Sequence, residues 1–341
     1  MISYDNEEGE YVCDTYTTEE LLRDQIGLDA RPEVWQDLDA ELPDLTWCKK
    51  RFGSGDLAAA LGMGWTAFVD IVKHHTRYLF SEPGNPTPGP ESFPAPEAFG
   101  VTYDLEEGVP PERMLDALGA IVATAKLTRT IDAGGVVFRA RVDKADKYFS
   151  TATELGPPPP EKASQSNRMS PAGIVMFYGA FDADTAIRET FDPDSDGAAE
   201  MTVSVAQFRS KRPLRVLDIT NLPPPPSFFG DYELHHGISF LWEFERDFIK
   251  PVARDGMEHV EYVPTQIVTE YFRYRFRADG EAPLDGIIWR SSRTGKPACV
   301  FFFGRSDCGG DASFPIREPS FQLLESATER IPGSALLKGS R

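Results

Sequence analysis

Side chains that could bind a small anion recur in the second half of the chain. The segment GGVVFRARV predicts a strand that carries Arg139 and Arg141 on one face, because strand side chains alternate. Arg168 follows a polar loop, Tyr178 stands late in IVMFYGAF, and Glu189 belongs to the helix that comes next. Arginines bind anions through paired, charge-assisted hydrogen bonds, so these residues favour a negatively charged ligand.

The composition limits which ligand this can be. The 341 residues include 54 Asp and Glu against 35 Lys and Arg, for a formal net charge of −19. Broad nucleic-acid binding needs a basic face, and anionic membranes also repel such a chain, so neither partner is expected. An anionic small ligand remains compatible, because two or three local arginines can hold it within an acidic protein.

Metal and redox signals are weak. The cysteines Cys13, Cys48, Cys299 and Cys308 are far apart, and no Cys/His group has zinc spacing, so no metal is expected. Reduced thiols in a cytoplasmic protein are the simplest interpretation. The N-terminal residues lack a basic and an apolar signal region, and no segment predicts a membrane span, so we expect a cytoplasmic location.

The predicted elements divide the chain into two parts of an α+β protein. Residues 1–80 predict an α-helical domain, and the Pro/Gly-rich residues 81–111 predict a linker. A mixed domain follows over 112–330, with a leading helix at 112–134, and 331–341 form a tail. Strands outnumber helices and are interrupted irregularly, which favours α+β over a regular βαβ array.

Helix caps mark the ends of several predicted helices. Thr17 with Glu20 forms a capping-box pattern, and Asp182 or Asp184 suits the cap of the helix that carries Glu189. The segment GDLAAALGMGWTAFVDIVKHHTRYLF predicts an amphipathic helix in the N-terminal part. The segment PPERMLDALGAIVATAKLTRTI predicts a helix that begins at proline.

Four stretches, in order, resemble the RES family. The second joins an Arg-x-x-Pro-x-Gly motif to a tyrosine and then to Thr-Ala-x-x-Glu. The third matches the family's Tyr-x-x-(Ser/Thr)-Gln helix, and the fourth its Gly-Ile-x-Tyr-x-Ser strand, here with tryptophan in place of that tyrosine. The stretches are FRAR at 138–141, RMSPAG to IRET at 168–190, YVPTQIVTEYFR at 262–273 and DGIIWRSSRTGKPACVFF at 285–302.

The N-terminal WTAFVDIVKHHTRYLF is similar to the helical domain that precedes some RES domains, named the HEPN/RES N-terminal domain. The Arg-x4–6-His motif of HEPN nucleases is missing, so the resemblance implies no ribonuclease activity.

What the RES resemblance implies is a toxin-like domain of ADP-ribosyltransferase-related fold that consumes NAD. Such domains break the nicotinamide–ribose bond and pass ADP-ribose to water, phosphate or a protein. The matching positions imply catalytic roles for Glu189, Arg168, Tyr178 and Ser291, and NAD contacts for Arg139, Arg168, Tyr178 and Ser291. The adjacent Ser292 leaves the choice of serine open.

Other functions stay open from the sequence. The first prediction is an NAD glycohydrolase or phosphorylase, and the second is an ADP-ribosyltransferase that modifies a protein or nucleic acid. A third is an interaction module with a degenerate site, which the Pro-rich linker favours. The family implies a neutralising partner, commonly a helix-turn-helix antitoxin, while self-association is left open.

Overall fold

Two compact units make up the chain, Met1–Asp56 and Leu57–Arg341. The predicted boundary after residue 80 and residues 81–96 of the predicted linker lie outside the described residues and stay predictions. The computed structural model describes residues 2–3, 15–25, 31–32, 34–35, 38, 47–48, 57–77, 97–103, 108–144, 149–195, 197–227, 230–252, 256–278, 281–309, 318–324 and 328–338.

The first unit contains short elements. Strands β1 (Ile2–Ser3), β2 (Thr15–Tyr16) and β3 (Trp47–Cys48) form an antiparallel sheet in the order β1-β3-β2. Helix α1 (Thr18–Glu20) begins at the predicted capping box, in which Thr17 and Glu20 bond each other's backbone N–H, and a π turn follows. Strands of two residues are too short to leave an alternating pattern, so the sequence predicted only helix here.

The second unit is built on one large sheet. Its described strands lie in the order β13-β9-β7-β8-β12-β11-β10-β6, with β14 also paired to β9. The β10–β11 pair is parallel and the others are antiparallel. The strands are β4 (Glu97–Ala98) and β5 (Val101–Thr102), which form a separate hairpin, then β6 (Thr128–Ile131), β7 (Val136–Lys144), β8 (Phe177–Ala180), β9 (Met201–Ser210), β10 (Leu214–Asp218), β11 (Gly286–Arg290), β12 (Pro297–Phe301), β13 (Phe321–Leu323) and β14 (Glu329–Pro332).

Helices complete the unit and cover the sheet. The described helices are α2 (Leu57–His74), α3 (Met114–Thr124), α4 (Ala152–Leu155), α5 (Ala183–Thr190), α6 (Tyr232–Ile249), α7 (Glu258–Glu261), α8 (Val263–Tyr274) and α9 (Gly333–Lys338). Buried side chains of α2, α3, α6 and α8 share one core with Ile287, Trp289 and Val300 of the sheet. The alternate strand residues Phe177, Ile288 and Phe301 belong to a second core on the other face.

The predicted strand that carries Arg139, the predicted helix that carries Glu189 and the predicted amphipathic helix, here α2, are confirmed, but the leading helix is shorter than predicted. Residues 128–131 form β6, paired antiparallel to β10, and not the end of a helix. Lys126 has a positive φ of 54°, which ends the helical run after α3. The β-branched Thr-Arg-Thr-Ile segment then suits a sheet edge.

None of the helices in the described part of the chain has the length and hydropathy needed to cross a membrane.

Candidate active site

The Arg168 side chain lies at the carboxyl end of α6. Its Nη1 donates to the Phe248 carbonyl and its Nη2 to the Lys250 carbonyl, each at 2.7 Å. Carbonyls at a helix end lack intrahelical partners, and the helix dipole favours a cation there. The guanidinium carbon also lies 5.6 Å from the centre of the Tyr262 ring. These two hydrogen bonds use two of the five N–H groups of the arginine.

Burial and nearby charges, including those of other predicted site residues, affect the pKa of Arg168. Burial lowers the pKa of its guanidinium, and four neighbouring groups oppose that change: Tyr262, Glu189, Tyr178 and Asp247. Arg168 stays protonated despite this burial, because the ordinary pKa of arginine is above about 12. The charge of Glu189 therefore lies close enough to affect Arg168, although the two residues come from different elements.

Helix α8 fixes the loop that carries Arg168. The Gln266 Nε2 donates to the Ser166 hydroxyl at 2.9 Å and to the Asn167 carbonyl at 2.8 Å. The Thr265 hydroxyl donates to the Arg168 carbonyl. Both donor side chains are buried. The Thr-Gln pair at the start of α8 therefore holds the arginine loop by its backbone.

Tyr178 projects from β8 into the helix-covered face of the sheet. Its hydroxyl lies 2.8 Å from the Ser170 hydroxyl. Burial raises the pKa of Tyr178 from its ordinary 10.0 to about 12. The phenol is therefore neutral at physiological pH and can donate a hydrogen bond.

Glu189 stands in the last turn of α5, and its side chain is exposed. The helix begins at Asp182, whose carboxylate accepts from the Thr185 N–H at 3.0 Å, so the first of the two predicted caps is the one used. A carboxylate at this position is accessible to a ligand, and a carboxylate placed against a ligand can stabilise a cation that develops on it.

Arg293 closes the other end of α5, and the sequence did not predict this role. Its Nη1 donates to the Arg188 carbonyl at 2.8 Å and to the Phe191 carbonyl at 3.4 Å. Those carbonyls flank Glu189 in the chain, so the turn between β11 and β12 holds the segment that carries the carboxylate. The arginine of the turn RTGKP was visible in the sequence, but its partner lies about a hundred residues away and leaves no local pattern.

Ser291 shapes the turn that presents Arg293. Its hydroxyl accepts from the Arg293 N–H at 3.2 Å and from the Thr294 N–H at 3.3 Å, and its side chain is buried. A serine hydroxyl that accepts can still donate one bond. The neighbouring Ser292 is exposed. The two candidate serines therefore differ in environment, one built into the turn and the other facing solvent.

Arg139 lies on the opposite face of the sheet from the Tyr178 ring. Its guanidinium carbon is 5.1 Å from the centre of the Phe177 ring, its Nε donates to the Leu155 carbonyl at 2.9 Å, and its Nη1 donates to the Tyr178 carbonyl at 2.6 Å. Burial lowers the pKa of Arg139 to about 10. Arg141 shares this face, as predicted, and donates to the Glu154 carbonyl.

The structure joins Arg168 and Tyr178 by contacts and places Arg139 on the other face of the sheet. Glu189 lies on α5, and Ser291 lies in the turn that holds the end of that helix. Arg168 and Tyr178 are joined through the 168–170 loop, and Glu189 acts on Arg168 through its charge. Arg139 donates to the backbone of β8 on the face opposite the Tyr178 ring. The Ser291 hydroxyl accepts hydrogen bonds within the turn whose Arg293 binds the end of α5. Within the described residues no group of three or more His, Cys, Asp or Glu side chains could hold a metal ion.

Comparison with known proteins gives two family matches. The model of the RES domain matches residues 136–323, and the model of HEPN/RES N-terminal domain 1 matches residues 1–86. All five predicted site residues fall within the first match. No curated protein and no solved structure is detectably similar to the chain.

Proposed function

The chain belongs to the RES domain family, and we propose that it is an enzyme that consumes NAD by breaking the nicotinamide–ribose bond. The observation that carries the proposal is that the loop of Arg168 is hydrogen-bonded to Tyr178 through Ser170, while the charge of Glu189 acts on the Arg168 guanidinium. The protein has a net charge of −19, so a fixed arginine with remaining N–H donors provides a local positive charge that can bind an anionic ligand.

Arg168 is the group that we assign to the pyrophosphate of NAD. Two N–H bonds tie it to the end of α6, and the other three lie free of hydrogen bonds within the described part of the chain. Because the guanidinium is already anchored, little side-chain entropy is lost when phosphate oxygens bind. We assign Arg139 a supporting role, since its donors reach the carbonyls of Leu155 and Tyr178.

Glu189 and Tyr178 have the chemistry needed to assist cleavage of the nicotinamide–ribose bond. When the ribose C1–N bond breaks, its electron pair moves to the pyridinium nitrogen, so nicotinamide leaves neutral and needs little acid help. The positive charge moves to the ribose as an oxocarbenium-like state, as in glycoside hydrolysis. The Glu189 carboxylate would stabilise that charge. The neutral Tyr178 phenol would shape the nicotinamide pocket.

The reaction is completed by a nucleophile that accepts the ADP-ribose group. Water attacks the ribose carbon and gives ADP-ribose and a proton, whereas phosphate gives ADP-ribose phosphate. Transfer to a protein or nucleic acid would use the same bond cleavage with a different nucleophile. Ser291 keeps a donor that could orient a ribose hydroxyl, and Ser292 is the exposed alternative.

A purified full chain incubated with NAD tests the proposal. We expect nicotinamide release, and Arg168→Met should lower kcat/KM by about 100-fold, the size seen when one charge-stabilising donor is lost. The matched control is Arg209→Met, at an exposed arginine on β9, which should keep wild-type activity. Reactions with and without phosphate, and with radiolabelled NAD, identify the acceptor. Intact NAD under all these conditions contradicts the proposal.

The cellular setting follows from the chemistry. We place the reaction in the cytoplasm, where NAD is abundant and where the buried thiols of Cys299 and Cys308 would stay reduced. An enzyme that depletes NAD acts as a toxin in its own cell. We therefore propose a neutralising partner, such as a helix-turn-helix antitoxin, and expect unrestrained expression to stop growth as cellular NAD falls.

A further inference from the structure

Helix α2 contacts both segments that anchor Arg168. The Trp65 Nε1 donates to the Asp247 carboxylate at 2.8 Å, and the Lys73 Nζ lies 2.7 Å from the Glu261 carboxylate. Asp247 directly precedes Phe248, whose carbonyl accepts from Arg168. Glu261 directly precedes Tyr262, whose ring lies beneath the Arg168 guanidinium. Each segment that positions the arginine therefore has an acid beside it, and α2 binds both acids.

These contacts come from a tightly packed helix. Trp65 is 7% exposed and stacks on Phe68 at 5.4 Å between ring centres, while Phe244 of α6 meets its edge at 5.0 Å. Gly64 lets the chain at Val109 come so close that a Cβ there would lie 2.5 Å from the Val109 carbonyl oxygen. Trp65 and Lys73 are thus held rigidly, about 12 Å apart along the helix axis.

The position of α2 in the chain makes this contact unexpected. The helix lies inside the match to HEPN/RES N-terminal domain 1, outside the match to the RES domain. Yet it belongs to the same compact unit as the RES region and shares its core. An element from the N-terminal family region is therefore built into the support of the candidate site.

We propose that α2 keeps Arg168 available to the phosphates of NAD by binding the Asp247 and Glu261 carboxylates itself, so that neither pairs with the guanidinium. The Asp247 charge still lies close enough to act on Arg168. This inference rests on the proposed function, because it takes Arg168 as the NAD-binding group. Released from the Trp65 indole, the Asp247 carboxylate would compete with the dinucleotide for the guanidinium. Trp65 and Lys73 are then positioning residues, and any partner that shifts α2 would weaken NAD binding.

Variants of Trp65 and Asp247 test whether a released Asp247 carboxylate competes with NAD for Arg168. In the full chain, Trp65→Phe keeps the ring but removes the N–H donor. We expect the KM for NAD to rise about three- to five-fold, the size of a partly exposed ion pair, with kcat within about two-fold. Adding Asp247→Asn should return KM to near the wild-type value, because the competing charge is then gone. A purely structural role of Trp65 would predict further loss in the double variant.

The matched control is Trp242→Phe. This tryptophan lies on α6, is 47% exposed, and donates to the Pro223 carbonyl, so the same chemical change occurs away from Arg168. It should leave KM unchanged. Lys73→Met should raise KM as Trp65→Phe does, whereas Lys162→Met at an exposed lysine should not. An unchanged KM in Trp65→Phe, or no recovery in the double variant, overturns the inference.

A second measurement separates this inference from the proposed function. If the wild-type chain leaves NAD intact, the proposed function fails, but coupling between α2 and Arg168 can still be measured by urea unfolding. We expect the midpoint shifts of Trp65→Phe and Arg168→Met not to add in the double variant, because both act on the end of α6. Additive shifts would show that α2 and Arg168 are independent, which rejects the inference.

Discussion

Arg168 and Arg139 are anchored in similar ways, yet we assign only Arg168 to the candidate site. Each donates two hydrogen bonds to backbone carbonyls and lies over an aromatic ring. Arg139 lies in the core beside Phe177. Arg168 lies at a helix end and is acted on by the Glu189 carboxylate.

The comparison teaches that an arginine within a family motif can act through the backbone as well as through a ligand. Arg139 ties α4 to β8, and so it holds the strand that presents Tyr178. Arg168 is anchored with donors to spare. Under the proposed function, the nearby Glu189 charge and the remaining donors of Arg168, more than its place in a motif, distinguish its binding role from the supporting role of Arg139.

The largest expected difference is between the two arginines themselves. Arg139→Met should lower the free energy of unfolding by about 3 kcal/mol, because two buried carbonyls lose their donors. Arg168→Met should lower it by about 1 kcal/mol, since its carbonyls lie at a partly open helix end. Urea unfolding of both variants measures the difference. Equal losses of stability would remove the distinction between the two sites.

Titration sharpens the same comparison at high pH. The pKa of Tyr178 is raised to about 12, so the stability that it contributes is present below pH 10 and is lost as pH rises through 12. That loss amounts to about 3 kcal/mol. Burial lowers the pKa of Arg139 to about 10, so its effect over this range has the opposite sign.

Tyr178→Phe should therefore flatten the fall in stability between pH 10 and 12. The measurement is the urea midpoint across that range. Tyr274→Phe, at an exposed ring, is the matched control and should keep the wild-type slope. A wild-type slope in Tyr178→Phe would place the phenol outside the buried site.

The smallest expected difference is between the two adjacent serines. Ser291→Ala removes an acceptor from two backbone N–H groups of the turn and should cost about 1 kcal/mol. Ser292→Ala, at an exposed side chain, should change stability by less than about 0.5 kcal/mol. Thermal unfolding of the two variants decides it, and the reverse order would contradict the turn geometry.

Local patterns explain why so much of the RES region was predictable. Alternation predicted β7 with Arg139 and Arg141 on one face, and the acidic residues Asp182 and Asp184 marked the start of α5, which the structure places at Asp182. The Thr128–Ile131 segment was misassigned because its pairing with β10 is a tertiary contact. Propensity over so few residues cannot decide between helix and strand.

The site was less predictable than the fold for a similar reason. The family motifs fix which residues occur, but not which carbonyl an arginine reaches. The contacts of Arg293 with the end of α5, and of Trp65 with Asp247, join residues more than a hundred positions apart. No spacing along the chain encodes them, whereas the capping pair of Thr17 and Glu20 is three residues apart and was confirmed.

The central claim is that Glu189 stabilises the cation formed when NAD is cleaved. Nicotinamide release at saturating NAD, compared between the wild type and Glu189→Gln at equal folded concentration, tests it most directly. We expect a fall in kcat of about 100-fold or more, with Glu200→Gln, an exposed glutamate elsewhere in the domain, unchanged. A Glu189→Gln enzyme that releases nicotinamide at the wild-type rate would contradict it.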